Sequence, residues 1–60
     1  MSTATDFYEA GKEFQRQQQW GDAINAYKKA LEQDPESPAA AALEYIYEIL
    51  AFRHTDLYNP

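Results

Sequence analysis

Two prolines near the middle of the sequence, Pro35 and Pro38, fix where helices can end and begin. The residue before a proline is pushed out of the helical region of backbone space, so any helix that precedes Pro35 ends by Asp34. Pro38 follows Ser37, and a serine N-cap with proline at the first helical position is a strong start signal. The sequence therefore predicts one helix that ends near Gln33 and another that begins at Pro38.

The helix before this break is predicted to run from about Asp22 to Gln33. Gly21 supplies a break, and Asp22 supplies an N-cap or a first-turn anion, which the helix dipole favours. The expected buried stripe consists mostly of small residues, which allow neighbouring helices to approach closely. Its members are Ala23, Ala26, Tyr27, Ala30 and Leu31.

A first helix is predicted from about Ala4 to Gln18. Thr3 and Asp6 have the spacing of a capping box, and Thr5 is the alternative cap. Four residues at spacings of three, one and three form one apolar stripe, as a helix requires. They are Phe7, Ala10, Gly11 and Phe14.

A third helix is predicted from about Pro38 to His54, because four alanines, the best helix formers, follow the proline. Residues 55–60 are expected to form a C-terminal tail. No stretch alternates with period two for long enough to make a strand. The sixty residues therefore predict a single all-α domain of three helices.

Composition limits the classes of partner. The net charge is −5, from ten acidic and five basic side chains, which argues against nucleic acid and against an anionic membrane surface. Cysteine is absent, which excludes disulfides and thiolate metal sites. No long apolar run or basic leader suggests a membrane span or a secretion signal. We expect a small protein of bacterial type that is located in the cytoplasm.

No residue pattern predicts catalysis. The single histidine, His54, is expected in the last turn of the third helix, where it helps to satisfy free carbonyls, and no second metal ligand stands at helical spacing. Glu44 and Glu48 share a helix face, but nothing in the sequence forms a pocket around them. Two glycines are too few for a phosphate-binding loop. The sequence predicts no cofactor, no metal and no enzymatic activity.

The order of aromatic and small residues resembles the tetratricopeptide repeat, a 34-residue helix–turn–helix unit. The matching positions within residues 4–37 are Phe7, Ala10, Gly11, Phe14, Trp20, Ala23, Tyr27, Ala30 and Pro35. The sequence departs from the family pattern at Ala10, where leucine is usual. It departs again at Gln18 and Gln19, where the turn usually carries Gly-Asp.

The third helix repeats the stripe spacing of the first, with Leu43, Ile46, Tyr47 and Leu50. It is therefore expected to pack where the first helix of a following repeat would lie. Tyr47 takes the place that Gly11 has in the first helix, and a tyrosine there obstructs a further helix. Residues 38–54 are thus predicted to be a terminating cap, which solenoids require at their ends. The alternative is the degenerate start of a truncated second repeat.

A second apolar stripe on the third helix consists of Tyr45, Ile49 and Phe52. An exposed stripe of this kind usually marks a contact. Two explanations stay open, and they are compatible: Leu57 and Tyr58 in the tail fold back over the stripe, or a second copy of the chain covers it.

Tetratricopeptide arrays bind extended peptides or partner helices in the concave groove lined by the first helices of their repeats. The resemblance implies that the groove-facing positions of the first helix are Thr5, Tyr8, Lys12, Gln15 and Arg16. The corresponding positions of the third helix are Ala41, Glu44, Glu48 and Phe52. One wall is then basic and the other acidic. Some members clamp a terminal carboxylate with a lysine and an asparagine, but Tyr8 and Lys12 stand at those positions here, so the clamp is not expected.

The resemblance thus implies a non-catalytic protein–protein interaction module that binds a protein or a peptide. The alternative function is a self-associating structural protein, a homodimer formed through Tyr45, Ile49 and Phe52. Sequence alone leaves both open.

Overall fold

The computed structural model describes the backbone of residues 3–58 and the side chains of residues 3–51. This part of the chain contains three α-helices and no strand: α1 (Ala4–Arg16), α2 (Trp20–Gln33) and α3 (Ala39–Tyr58). The most extensive helix contact joins α1 to α2, which form a helical hairpin, and α3 also packs on α2. The all-α class and the three-helix order predicted from the sequence are confirmed.

α1 begins with the predicted capping box. The Thr3 Oγ1 accepts a hydrogen bond from the Asp6 N–H at 3.2 Å, and the Asp6 carboxylate accepts one from the Thr3 N–H at 3.1 Å. Thr5, the alternative cap, lies inside the first turn. A cap of this kind stabilises a helix by about 1 kcal/mol, so it fixes the start of α1.

α1 ends in a Schellman motif built without glycine. The Gln18 N–H donates to the Gln15 carbonyl at 2.9 Å, and the Gln19 N–H donates to the Phe14 carbonyl at 2.8 Å. This pattern needs a left-handed residue after the helix, where glycine is usual. Gln18 takes that conformation, with φ 63°.

The position of this turn corrects the predicted boundary between the first two helices. α1 ends at Arg16, two residues earlier than expected, and α2 begins at Trp20, two residues earlier than expected. Gly21 and Asp22 therefore lie in the first turn of α2 instead of forming the break. The hydrogen bonds of the Schellman motif end α1 here, with Gln17 as its C-cap, although no glycine is present.

The link between α2 and α3 is organised by side-chain oxygens. The Asp34 Oδ1 accepts from the Glu36 N–H at 3.0 Å, and the Ser37 Oγ accepts from the Ala39 N–H at 3.1 Å. Ser37 is buried, so its hydroxyl is shielded from competing water. The predicted cap at Ser37 is confirmed, and the helix is assigned from the residue after Pro38.

The core is centred on α2. The predicted small-residue stripe is confirmed, because Ala23, Ala26, Tyr27 and Ala30 are buried and Leu31 is half-buried. One close contact is between Gly11 of α1 and the Tyr27 ring, where an added Cβ would lie 2.5 Å from the Tyr27 Cε1. The backbone of α1 therefore rests directly on a buried aromatic ring.

α3 supplies the other half of the core with Leu43 and Ile46, which are buried, and Leu50, which is half-buried. The expectation that Tyr47 belongs to this stripe is wrong, since its side chain is 47% exposed. Its position in the stripe matches that of Gly11, which faces the second helix of its own repeat. An exposed bulky side chain at this position fits the predicted capping helix.

α3 is also longer than expected. Its helical backbone continues to Tyr58, so Leu57 and Tyr58 extend the helix and do not fold back over it. Residues 55–58 contain neither glycine nor proline, so no helix-breaking residue interrupts the helix there. The side chains of Phe52 and His54, on which predictions were made, lie outside the described residues.

Candidate functional site

A cavity of about 320 Å³ opens between α1 and α3, near the turn that joins α1 to α2. We call it the α1–α3 groove. These two helices touch only weakly, because both pack on α2 and leave a furrow between them. The groove is lined by Lys12, Gln15, Arg16, Gln18, Trp20, Tyr45 and Ile49.

Gln15 lies at the base of the α1 wall and is tied to the core. The buried Tyr27 hydroxyl donates a hydrogen bond to the Gln15 Oε1 at 2.7 Å. Burial raises the pKa of Tyr27 above its usual value, with smaller contributions from Tyr8 and Glu9. The hydroxyl therefore stays protonated and remains a donor at neutral pH.

Lys12 and Arg16 supply the positive charge of the same wall. The Lys12 Nζ lies 3.8 Å from the Glu9 Oε2 and 5.1 Å from the centroid of the Tyr8 ring. Arg16 forms an ion pair with Glu13, including a 3.1 Å bond from its Nη2 to the Glu13 Oε1. All four charged side chains are at least half exposed, so these pairs stabilise little and break readily.

The α3 wall is apolar. Tyr45 is 55% exposed and Ile49 is half-buried, and both line the groove. The sequence placed these two residues in a separate self-association stripe. The structure instead brings them to the groove face, one helical turn apart, opposite the cationic wall of α1.

Other predicted groove residues lie elsewhere. Glu44 and Glu48 are exposed on α3 but do not line the groove, because each precedes a lining residue by one position and is rotated about 100° from it. Thr5 is exposed in the first turn of α1. Tyr8 is half-buried and packs on Tyr27, with ring centroids 5.9 Å apart.

Two groove residues were not predicted as site residues. Trp20 was assigned to the turn, but it is the first residue of α2 and forms the end wall of the groove. Gln18 joins it because the left-handed turn directs the chain across that end. A bulky aromatic residue directly after a polar turn was the one sequence signal that could have pointed to Trp20.

A second cavity, of about 330 Å³, lies on the opposite side of the hairpin. Its walls are mostly apolar, and the Lys29 Nζ lies 5.9 Å from the centroid of the Phe7 ring at its edge. This surface, the open face of the hairpin, is lined by Phe7, Ala10, Phe14, Asp22, Asn25, Ala26 and Lys29.

The described residues contain no group of three or more histidine, aspartate or glutamate side chains placed to hold a metal ion. Across the same residues, no helix combines the length and the hydropathy required to span a bilayer. Every buried side-chain nitrogen or oxygen among them has a hydrogen-bond partner. The polar groups that can form further hydrogen bonds are therefore at the surface, and several of them line the α1–α3 groove.

A family model described as TPR repeat matches residues 11–41, just over half of the chain. The chain belongs to this family of helical repeats, as the sequence resemblance indicated. The match runs from the second half of α1, through α2, into the start of α3. Comparisons with curated proteins and with solved structures gave no match. Members of the family generally mediate protein–protein interaction and are typically non-catalytic.

Proposed function

We propose that this chain is a non-catalytic interaction module that binds an extended segment of a partner protein in the α1–α3 groove. The observation that carries the proposal is the composition of the groove. It places hydrogen-bond donors of α1 opposite Tyr45, which is exposed, and Ile49, which is half-buried, across a cavity of about 320 Å³.

The groove residues are of the types that contribute most to binding. Tryptophan, tyrosine and arginine are enriched at the energetic centres of protein interfaces, and the groove holds one of each: Trp20, Tyr45 and Arg16. Tyr45 is half exposed in the isolated chain. Covering its ring removes apolar surface from water, and its hydroxyl can reach the solvent edge of an interface.

A site-specific photocrosslinker tests the proposal. We expect a crosslinking residue at Ile49 to capture a partner that the same residue at Lys28, exposed on α2 outside both cavities, does not capture. The captured protein is then purified, and its affinity for the chain is measured by titration. Ile49→Ser should weaken binding at least tenfold, while Lys28→Ser should leave it unchanged. Equal losses in both variants would place the binding site elsewhere.

The second candidate function is self-association through α3. Tyr45, which is 55% exposed, and Ile49, which is half-buried, lie one turn apart on this helix, and a second copy of the chain is one means of covering them. Sedimentation of the purified protein distinguishes the two functions. A dimer that dissociates in Tyr45→Ser/Ile49→Ser supports self-association, and it also means that the groove is occupied by the dimer. A monomer at all concentrations excludes it.

A further inference from the structure

We propose that the open face of the hairpin binds a second copy of the chain, with the two α2 helices antiparallel across a twofold axis beside Asn25. This inference is independent of the proposed function, because the open face and the α1–α3 groove share no lining residue. It is argued from the charge of the open face, the spacing of its polar residues, and the side chains at its centre.

The open face is electrically balanced, whereas the chain as a whole is acidic. The net charge of the sequence is −5, so two copies repel each other on average. The lining of the open face contains one acidic residue, Asp22, and one basic residue, Lys29. Repulsion between two copies is therefore weaker at this face than over the surface as a whole.

The two charges are placed so that an antiparallel second copy pairs both of them. Asp22 and Lys29 are exposed and seven residues apart on α2, which puts them on one stripe of the helix, about 10.5 Å apart along its axis. Side-chain pairs within one helix form at spacings of three or four, so a spacing of seven favours a partner on another helix. A twofold axis midway between them, at Asn25 and Ala26, places each aspartate opposite the lysine of the other copy.

The alternative twofold arrangement has the two α2 helices parallel. It places Asp22 opposite Asp22 and Lys29 opposite Lys29, and like charges in direct contact oppose association. The charged residues of the open face both lie on α2. Charge pairing therefore selects the antiparallel contact between the two α2 helices.

The side chains at the centre of the face suit contact between two copies. Ala26 is small, and the distance between packed helices depends on the side chains at the contact. Asn25 is exposed, and its amide has both donor and acceptor groups, so the amides of two copies can bind each other. Phe7 and Phe14 of α1 are partly buried, and a second copy removes their remaining apolar surface from water.

This dimer differs from one formed through α3. It leaves Tyr45 and Ile49 uncovered in each copy, so the dimer presents two α1–α3 grooves. A partner with two binding segments then binds with avidity.

Sedimentation of the full chain over a concentration series tests the interface. We expect a dimer with a dissociation constant on the order of 10 µM, since small interfaces are weak. Asp22→Lys makes the charged residues of the face both basic, and Lys29→Glu makes them both acidic. Each variant places like charges opposite each other and should raise the dissociation constant at least about tenfold. Circular dichroism checks that both variants remain helical.

The two variants are also complementary to each other. Mixed in equal amounts, Asp22→Lys and Lys29→Glu should form a heterodimer, because a basic face then meets an acidic one. The double variant Asp22→Lys/Lys29→Glu should dimerise as the original chain does, because it only exchanges the two charges. Glu36→Lys and Lys28→Glu are the controls: they change the net charge by the same amounts at exposed residues outside the open face, and they should remain dimers.

Three results would overturn the inference. One is a chain that stays monomeric up to about 1 mM. Another is a dimer that persists unchanged in both single variants, since the contact then lies on another face. The third is a pair of monomeric variants that do not associate when mixed. Capture of a partner at Ile49 is measured separately, so a failure of this inference is distinguished from a failure of the proposed function.

Discussion

The two faces of α2 are held by different kinds of contact. On the α1 side, the Tyr27 ring fits against the Gly11 backbone, and its hydroxyl binds Gln15. On the α3 side, the buried side chains are aliphatic: Leu43 and Ile46 belong to the same buried cluster as Ala23 and Ala30 of α2. The side-chain hydrogen bond from Tyr27 thus joins α2 to α1, and the ion pairs of Lys12 and Arg16 lie within α1.

The two contacts therefore act differently. The α1–α2 contact fixes the relative orientation of the two helices, whereas the α2–α3 contact mainly holds the helices together. A ring against a glycine and a directed hydrogen bond allow one relative position of α1 and α2. Aliphatic packing is non-directional, so it holds α3 with a strength set by buried area and shape. The α1 wall of the groove should thus be the better-defined one, and the α3 wall should depend on how firmly Ile46 is packed.

The largest effect is expected from Ile46→Ala, which leaves a cavity at the centre of the aliphatic contact. Such truncations cost about 2–5 kcal/mol, and a domain of this size has little stability to spare. Urea unfolding followed by circular dichroism measures the loss. Leu50→Ala is the matched control, and it should cost less because Leu50 is only half-buried. An equal or greater loss for Leu50→Ala would show that α3 is held elsewhere.

Gly11→Ala is expected to destabilise the domain by about 1–3 kcal/mol, because the new methyl group collides with the Tyr27 ring. Gly21→Ala is the control: nothing lies within 4 Å of its added Cβ. Since Gly21 is in a helix, alanine there should stabilise by up to about 1 kcal/mol. Thermal unfolding of the two variants should therefore shift in opposite directions. A shared direction would contradict the tight α1–α2 contact.

Tyr27→Phe removes only the hydroxyl, and it is expected to cost about 1 kcal/mol through the lost bond to Gln15. The raised pKa of Tyr27 in the folded chain adds a pH signature. Below about pH 10 the tyrosine is protonated in both states and stability is unaffected. Above that pH the unfolded chain loses the proton more readily, so stability falls. The phenylalanine variant should lack this alkaline loss, whereas Tyr45→Phe, at an exposed site, should retain it.

The smallest effect is expected at the turn. Gln18→Gly should stabilise the domain by about 0.5–1 kcal/mol, because glycine adopts the left-handed conformation without steric cost. Gln17→Gly, one residue earlier with φ −89°, should destabilise it slightly. Denaturant midpoints compared between the two variants measure the difference. A loss of stability in Gln18→Gly would mean that the left-handed turn at residue 18 is not the one that ends α1.

Much of the fold could be predicted from sequence because its signals are local. Thr3 with Asp6, and Ser37 before Pro38, determine helix starts through neighbouring atoms. The alanine stripe of α2 marks its buried face by spacing alone. The end of α1 was misplaced because the Schellman motif forms around Gln18, and no glycine marks the position.

The groove was predicted less well, because it depends on how α3 is rotated on α2. The α1 residues Lys12, Gln15 and Arg16 were placed on the groove side, and the structure brings them together there. Matching α3 to α1 position by position put Glu44 and Glu48 on the facing wall. In the structure, Tyr45 and Ile49 face the groove instead. The difference of one residue position is a rotation of α3 about its axis, which is set by side-chain packing and cannot be predicted from residue spacing.

Tyr47 bears on how a chain of this kind can grow. When a repeat is added by duplication, a new helix must approach the existing surface closely, as α2 approaches α1 at Gly11. On the outer side of α3 that position holds a bulky ring, so a duplicated hairpin added there would first require a substitution to a small residue. The open face of the hairpin, with Ala10 and Ala26 between its aromatic residues, carries no such obstacle. Adding a repeat is therefore sterically easier on the α1 side than beyond α3.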